Sequence, residues 1–353
     1  MGRPVPLAQA GGPATGATPR MRAAGRKVLG RVELYLVAVL VILAVFLTAL
    51  NRRFLTLENL FDLLANYTFL GIMALGELVV LVSGGIDVSF TAIATVAQYV
   101  MGWIISTYQI GSVLVAFLIP LPVGIALGLV NAGLVHLTQV HPVIITIATL
   151  NIFYGLLVFV TGGAWIYNLP ASFQAFAVTK IIRVVDRAGT PSGLSVLSLF
   201  WAGAIALTWF ILTHLVVGRK VYAMGGNPEA ARRAGVRVPR LLAFVYGYMG
   251  FLAAVAGFVQ AQLAQIVQPN AIVGRELDVL AAAILGGASI SGGTGTVSGT
   301  VLGVLLVAVV TNGLILTRVP SYWHNVAIGV IIATAAGLMA SQRRRTTRAR
   351  GAS

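Results

Sequence analysis

Long apolar runs separated by short polar intervals fill most of this chain. About ten of them, at 34–50, 63–82, 88–108, 113–137, 143–161, 196–217, 241–263, 277–290, 297–316 and 323–340, approach the roughly 20 residues that carry a helix across a bilayer. The expected fold is an all-α polytopic membrane protein of about ten transmembrane helices. The interval 162–193 is too polar to span; Trp165 and Tyr167 suit a membrane interface, and the remainder has room for a short external helix or strand. The fourth run closes in G-L-V-N-A-G-L-V (Gly128 to Val135) before His141-Pro142, and the ninth in V-T-N-G-L-I-L (Val310 to Leu316) before Val319-Pro320. Asn131 then lies near the inner face and Asn312 near the outer, as an inverted repeat would place them. Gly/Leu/Val-rich spans also come to resemble one another by chance.

Composition agrees. Of 353 residues, 58% are hydrophobic and only 9% charged, with a mean hydropathy of +0.93; soluble domains carry about 25% charged residues. The net charge of +15 would suit nucleic acid, but its placement argues otherwise: 17 of the 24 Lys and Arg fall in 1–31, 218–240 and 343–350, outside the apolar runs. An even number of spans puts all three patches on one side, and the positive-inside bias makes that side the cytoplasm. Arg52, Arg53, Lys180, Arg183, Arg187, Arg275 and Arg318 fall on the far side, and Arg52 and Arg53 fit it least well. The expected division is a disordered basic cytoplasmic tail (1–31), a transmembrane domain (32–340) and a second basic cytoplasmic tail (341–353), with no nucleic-acid partner. The first apolar run is an uncleaved span, because Leu50 leads into Asn51, Arg52 and Arg53 without a small-residue cleavage site.

The chemistry is sparse. There is no cysteine, hence no disulfide or thiolate site; no G-x-x-x-x-G-K-S/T, hence no recognisable ATP site; and nothing resembling a nucleophile with its base. His136 and His141 suit a loop or an interface. No cofactor is expected. Asp87, in V-S-G-G-I-D-V-S-F (Val82 to Phe90), needs a reason to be there, because a carboxylate within a span costs roughly 2.5–3.5 kcal/mol. Ser83, Gly84 and Gly85 break the helical run before it and Ser89 follows. Broken backbone at membrane depth is tolerated only inside protein or beside a wet cavity; alternatively, Asp87 caps the third span at the cytoplasmic surface. Glu77 is a second acid in an apolar run, facing a pathway or pairing with another span. Glu276 and Asp278, near the outer end of the eighth span, suit either a substrate's hydroxyls or a docking protein, or an ion pair with Arg275. Ser289 lies in the Gly/Ser/Thr-rich turn that follows, which permits close helix approach.

The polar segment Val217 to Leu241 stands alone between two apolar blocks. Gly225 and Gly226 permit a turn, Asn227 is a good N-cap, Pro228 suits the first helical position and Glu229 favours the helix dipole. Ala230, Ala231 and Arg232 are helix formers and Gly235 a stop. A helix of about two turns is too short to stand alone, so it leans on the membrane domain, on headgroups or on a partner. The plain alternative is a basic loop that only sets topology.

G-G-N-P-E-A-A-R-R-A-G-V resembles the loop by which ATP-binding-cassette permeases of the ribose and autoinducer-2 type dock onto their ATPase subunits. S-G-G-I-D-V-S and G-R-E-L-D-V-L-A-A-A-I-L-G-G-A-S-I-S-G-G-T-G are similar to two further motifs of that family, in the same order. The family usually continues V-G-S where this chain has Phe90, Thr91 and Ala92. Thr161 to Pro170 is most similar to the autoinducer-2 and pentose branches. The resemblance implies a type II importer-like permease in the bacterial inner membrane, moving a monosaccharide or similar polyol. It also implies separate ATPase subunits, a periplasmic substrate-binding protein and a second permease subunit. It places ATPase coupling at 225–232 and Gly235; the candidate pathway residues are Glu77, Ser83, Gly84, Gly85, Asp87, Ser89, Glu276, Asp278 and Ser289. The rival class is a proton- or sodium-coupled secondary transporter with Glu77 and Asp87 as ion sites.

Overall fold

A computed structural model describes residues 19–185 and 191–320, with Tyr322, Trp323, Val326, Gly329 and Val330 beyond. Helix α1 (Pro19–Leu50) begins inside the stretch expected as a disordered tail, and its part Val32–Leu50 is long and apolar enough to cross a membrane. The second run splits into α2 (Leu57–Asn66) and α3 (Thr68–Ser83), bent by 49° about Tyr67. Thr56 caps α2 by accepting the Asn59 N–H at 3.3 Å. Then come α4 (Phe90–Thr107), α5 (Val113–Leu118) and α6 (Pro120–Thr138), the last two forming one span, and α7 (Pro142–Thr161). Pro120 and Pro142 occupy first-turn positions, where no backbone donor is needed.

The polar interval holds both a helix, α8 (Ala171–Ala177), and an antiparallel hairpin of β1 (Lys180–Val185) with β2 (Pro191–Ser195). Helix α9 (Ser198–His214) turns by 74° into α10 (Val216–Gly226). The chain continues through α11 (Pro228–Arg233), α12 (Val238–Ala264), α13 (Glu276–Leu285) and α14 (Val297–Leu316).

Among the described residues six helices can cross a membrane, or eight if each bent pair is one span, against the ten expected. The run 277–290 accounts for one difference. It yields only α13, whose ten residues rise about 15 Å, half of a hydrocarbon core of about 30 Å. The run 323–340 and the tail 341–353 lie almost wholly outside the described residues.

Helix α12 is the centre of the bundle, flanked by α6, α3 and α4. It meets α6 backbone to backbone: a Cβ on Gly124 would land on the Gly250 carbonyl, and one on Gly128 on the Tyr246 carbonyl. Small residues of this kind let membrane helices close up where there is no hydrophobic drive between them. Gly250→Ala, whose new methyl meets the Gly124 carbonyl, is expected to cost about 2 kcal/mol. Scanning fluorimetry of the solubilised chain should show a melting point about 4 °C lower; an unchanged value would mean that α6 and α12 separate easily.

Candidate functional site

Helix α3 stops where Gly84 takes φ +93°, returning its N–H to the Leu81 carbonyl at 2.9 Å while the Gly85 N–H reaches Val80 at 3.1 Å. Such a left-handed residue is the ordinary glycine end of a helix. The backbone from Gly84 to Ser89 is irregular, and the N–H groups of Gly84, Gly85, Asp87, Val88 and Ser89 are answered from within the protein, as membrane depth requires. Thr146 of α7 donates to the Ile86 carbonyl at 3.2 Å and accepts the Val88 N–H at 3.3 Å. Glu77 Oε1 accepts the Asp87 N–H at 3.3 Å. Asp87 Oδ1 accepts both the N–H and the hydroxyl of Ser89, at 2.7 and 2.6 Å, and Asn131 Nδ2 donates to that hydroxyl oxygen at 2.6 Å.

Asp87 is thus no surface cap. It is 0% exposed, as are Glu77 and Ser89, and the residue before the first helical position of α4 is Ser89. Glu77 bonds to the break itself and not to a side chain of another span. Ser83 and Gly85 are buried too, whereas Gly84 is exposed.

A second junction lies beside the first. The Gly293 N–H donates to the Val82 carbonyl at 2.9 Å, and Tyr222 of α10 donates its hydroxyl to the Gly295 carbonyl at 2.7 Å. A Cβ on Gly225 would fall on the Val82 carbonyl oxygen and 2.7 Å from Gly293 N; one on Gly292 would lie 2.8 Å from the Gly84 Cα. Three glycine-bearing stretches, 82–85, 225–226 and 292–293, therefore pack backbone against backbone at one point.

The 274–299 stretch departs from expectation. Glu276 and Asp278 do not sit at the outer end of a full span, because α13 is half a span long. Glu276 opens that helix, accepts the Thr91 hydroxyl from the first turn of α4, and takes the Gly274 N–H at 3.0 Å. Asp278 is buried and ion-paired with Arg275 at 3.1 Å. Ser289 is buried in the following turn, its hydroxyl 3.0 Å from that of Ser291. Asn312, matched in sequence to Asn131, exchanges two hydrogen bonds of 3.0 Å with Asn59, so the two asparagines have unlike surroundings.

Helix α11 is capped by Asn227, whose Oδ1 accepts the Ala230 N–H at 2.9 Å; Pro228 and Glu229 fill the first turn, and Gly235 takes φ +82° just beyond the end. Ala231 faces inward. Gly226, Asn227, Pro228, Glu229, Ala230, Arg232 and Gly235 are exposed, while Gly225 is buried. The exposed Glu229–Arg233 pair at 3.2 Å contributes little, about 0.3–0.5 kcal/mol. All six basic residues of 218–240 are exposed.

Sequence reasoning missed Tyr246, Thr146 and Tyr222. Each is a hydroxyl on an otherwise apolar or basic helix; Thr146 reaches Ile86 and Val88, and Tyr222 reaches Gly295, across 58 to 73 residues of chain. The weak signal was the hydroxyl itself, because a buried polar group requires a partner.

Known proteins resemble this chain over most of its length. Residues 59–336 match the family model described as branched-chain amino acid transport system / permease component. The ribose import permease protein of Escherichia coli (strain K12) is 32% identical over 298 residues, 84% of this chain and 90% of that one. The autoinducer 2 import system permease protein of Yersinia pseudotuberculosis (serotype IB) is 31% identical over 298 residues, 84% of this chain and 81% of that one. No solved structure matches. A match over most of the length and a bundle of apolar helices carry one conclusion: the chain is a multi-pass inner-membrane protein and belongs to the branched-chain amino acid transport system permease-component family.

Proposed function

We propose that the chain is the membrane-spanning subunit of an ATP-dependent importer for a monosaccharide or similarly sized polyol. The observation that carries this reading is the glycine junction: the exposed helix α11 is joined through Gly225 and Gly226 to the backbone of the α3 break and of the turn after α13. With no side chains to absorb a displacement, a push on α11 passes directly to Val82, Gly84 and Gly292. A docked ATPase could thereby move the spans in alternating access. The named relatives import ribose and autoinducer 2, which supports a small polyol as the substrate.

In this reading two ATPase subunits bind α11 and its basic surround, with both termini on the same cytoplasmic side. A periplasmic binding protein delivers substrate near the hairpin of β1 and β2, and a second permease subunit, identical or a sister chain, completes the pathway. Glu276 and Ser289 line that pathway; Glu77, Asp87 and Ser89 hold the break beside it. ATP hydrolysis belongs to the partner.

The test is co-purification in mild detergent. Glu229→Lys combined with Arg232→Glu reverses charge on two exposed residues of α11 and is expected to lower ATPase recovery at least about tenfold, roughly 1.4 kcal/mol, with membrane insertion intact. Full ATPase recovery would remove α11 from the docking surface. A chain that purifies alone and drives proton- or sodium-coupled uptake in liposomes would overturn the importer.

A further inference from the structure

Glu77 and Asp87 bring two carboxylates together inside a membrane bundle, and the ion pairs among the described residues are elsewhere, at Glu229–Arg233 and Asp278–Arg275. One oxygen of each carboxylate is hydrogen-bonded. The other, Glu77 Oε2 and Asp87 Oδ2, has no partner, and neither does Asn131 Oδ1 or the Tyr246 hydroxyl, although all four are shut off from solvent. Buried polar atoms are nearly always partnered, so four orphans in one neighbourhood call for an occupant. Asn131 and Tyr246 come to this neighbourhood from α6 and α12. Asn131 reaches Asp87 through the Ser89 hydroxyl at 2.6 Å. The Tyr246 hydroxyl lies 3.0 Å from where a Gly85 side chain would begin, and within electrostatic reach of both carboxylates.

We propose that Glu77, Asp87, Asn131 and Tyr246 form a binding site for a sodium-sized monovalent cation. Every free ligand atom is oxygen, and with both acids ionised three of the four can only accept, which is the donor set of a hard cation. The place is a helix break, where carbonyls at the end of one half-helix add further negative potential, as at the cation sites of other discontinuous membrane helices. A single positive charge fits better than two. The N–H groups of Ser89 and Phe90 at the start of α4 already face Asp87, and a helix N-terminus supplies about half a charge. The bound ion ties α3 and the break at Asp87 to α6 and α12, holding the break shut beside the glycine junction. The assignment requires only this chain and is independent of any partner.

The experiment uses the purified full chain in detergent, comparing sodium chloride with choline chloride at equal ionic strength, together with direct binding of radioactive sodium. Saturable binding is expected, with melting raised by about 5 °C at sodium some 50 times its Kd. Glu77→Gln is expected to abolish both effects. Tyr246→Phe, which removes a single oxygen and keeps the ring packed, is expected to weaken binding about tenfold, and it carries the test if Glu77→Gln fails to fold. A wild-type chain that binds no sodium and melts identically in both salts would overturn the site. So would a response to micromolar calcium without one to sodium.

Discussion

Gly225→Val is expected to abolish uptake in proteoliposomes containing the assembled transporter. The new Cβ would fall on the Val82 carbonyl oxygen, 2.9 Å from Val82 C and 2.7 Å from Gly293 N. All are backbone atoms, and Val82 O already accepts the Gly293 N–H at 2.9 Å. A flexible side chain could swing aside; backbone held at both ends by helices and a hydrogen-bonded turn cannot. Overpacking of a close-packed site costs about 1–3 kcal/mol and more where nothing can relax. The damage falls where α10 meets both the α3 break and the turn after α13, so transport per assembled complex should drop by well over tenfold. Gly203→Val in α9 is the matched control, since a Cβ there meets nothing within 4 Å. Wild-type uptake by Gly225→Val would show that the three stretches need no contact during transport.

Asp87→Ala should impair transport more than it impairs expression. Removing the carboxylate leaves the Ser89 N–H and hydroxyl, which it accepts at 2.7 and 2.6 Å, without a buried acceptor, and leaves Asn131 bonded to a hydroxyl that has lost its own anchor. Each stranded buried donor costs about 1–3 kcal/mol, enough to let the backbone from Gly84 to Ser89 leave its present path. Asp87→Asn, which keeps an acceptor oxygen toward Ser89, should lose less. The measurement is uptake of labelled substrate per permease molecule, with membrane abundance from immunoblots. About a tenfold loss per molecule for Asp87→Ala, 1.4 kcal/mol on a rate scale, is the expected result. Equal uptake per molecule would remove Asp87 from the transport cycle and leave it a role in folding alone.

Much of the architecture was legible in the order of residues. Apolar runs of span length became helices because in hydrocarbon every backbone group must be satisfied within its own segment, and α4, α7, α12 and α14 lie within a few residues of the expected bounds. The cap of α11 was legible for the same local reason: Asn227, Pro228 and Glu229 act on N–H groups within one turn. The run 277–290 misled because its hydropathy is that of a span while Gly286 and Gly287 end the helix after ten residues. Hydropathy counts apolar residues and is blind to where the turn falls.

Sequence by itself determined the class of the protein, the placement of most helices, the break at Gly84 and the small helix at Pro228. All of these follow from transfer free energies and backbone preferences acting over a few residues. Only the tertiary structure decided that Asp87 is sealed inside with Glu77, Asn131 and Tyr246, and that Gly84, Gly225 and Gly292 touch. The contacts of Asn131, Tyr246 and the three glycines join segments roughly 40 to 200 residues apart, and a glycine's lack of a side chain becomes informative only once another backbone occupies the space a Cβ would need.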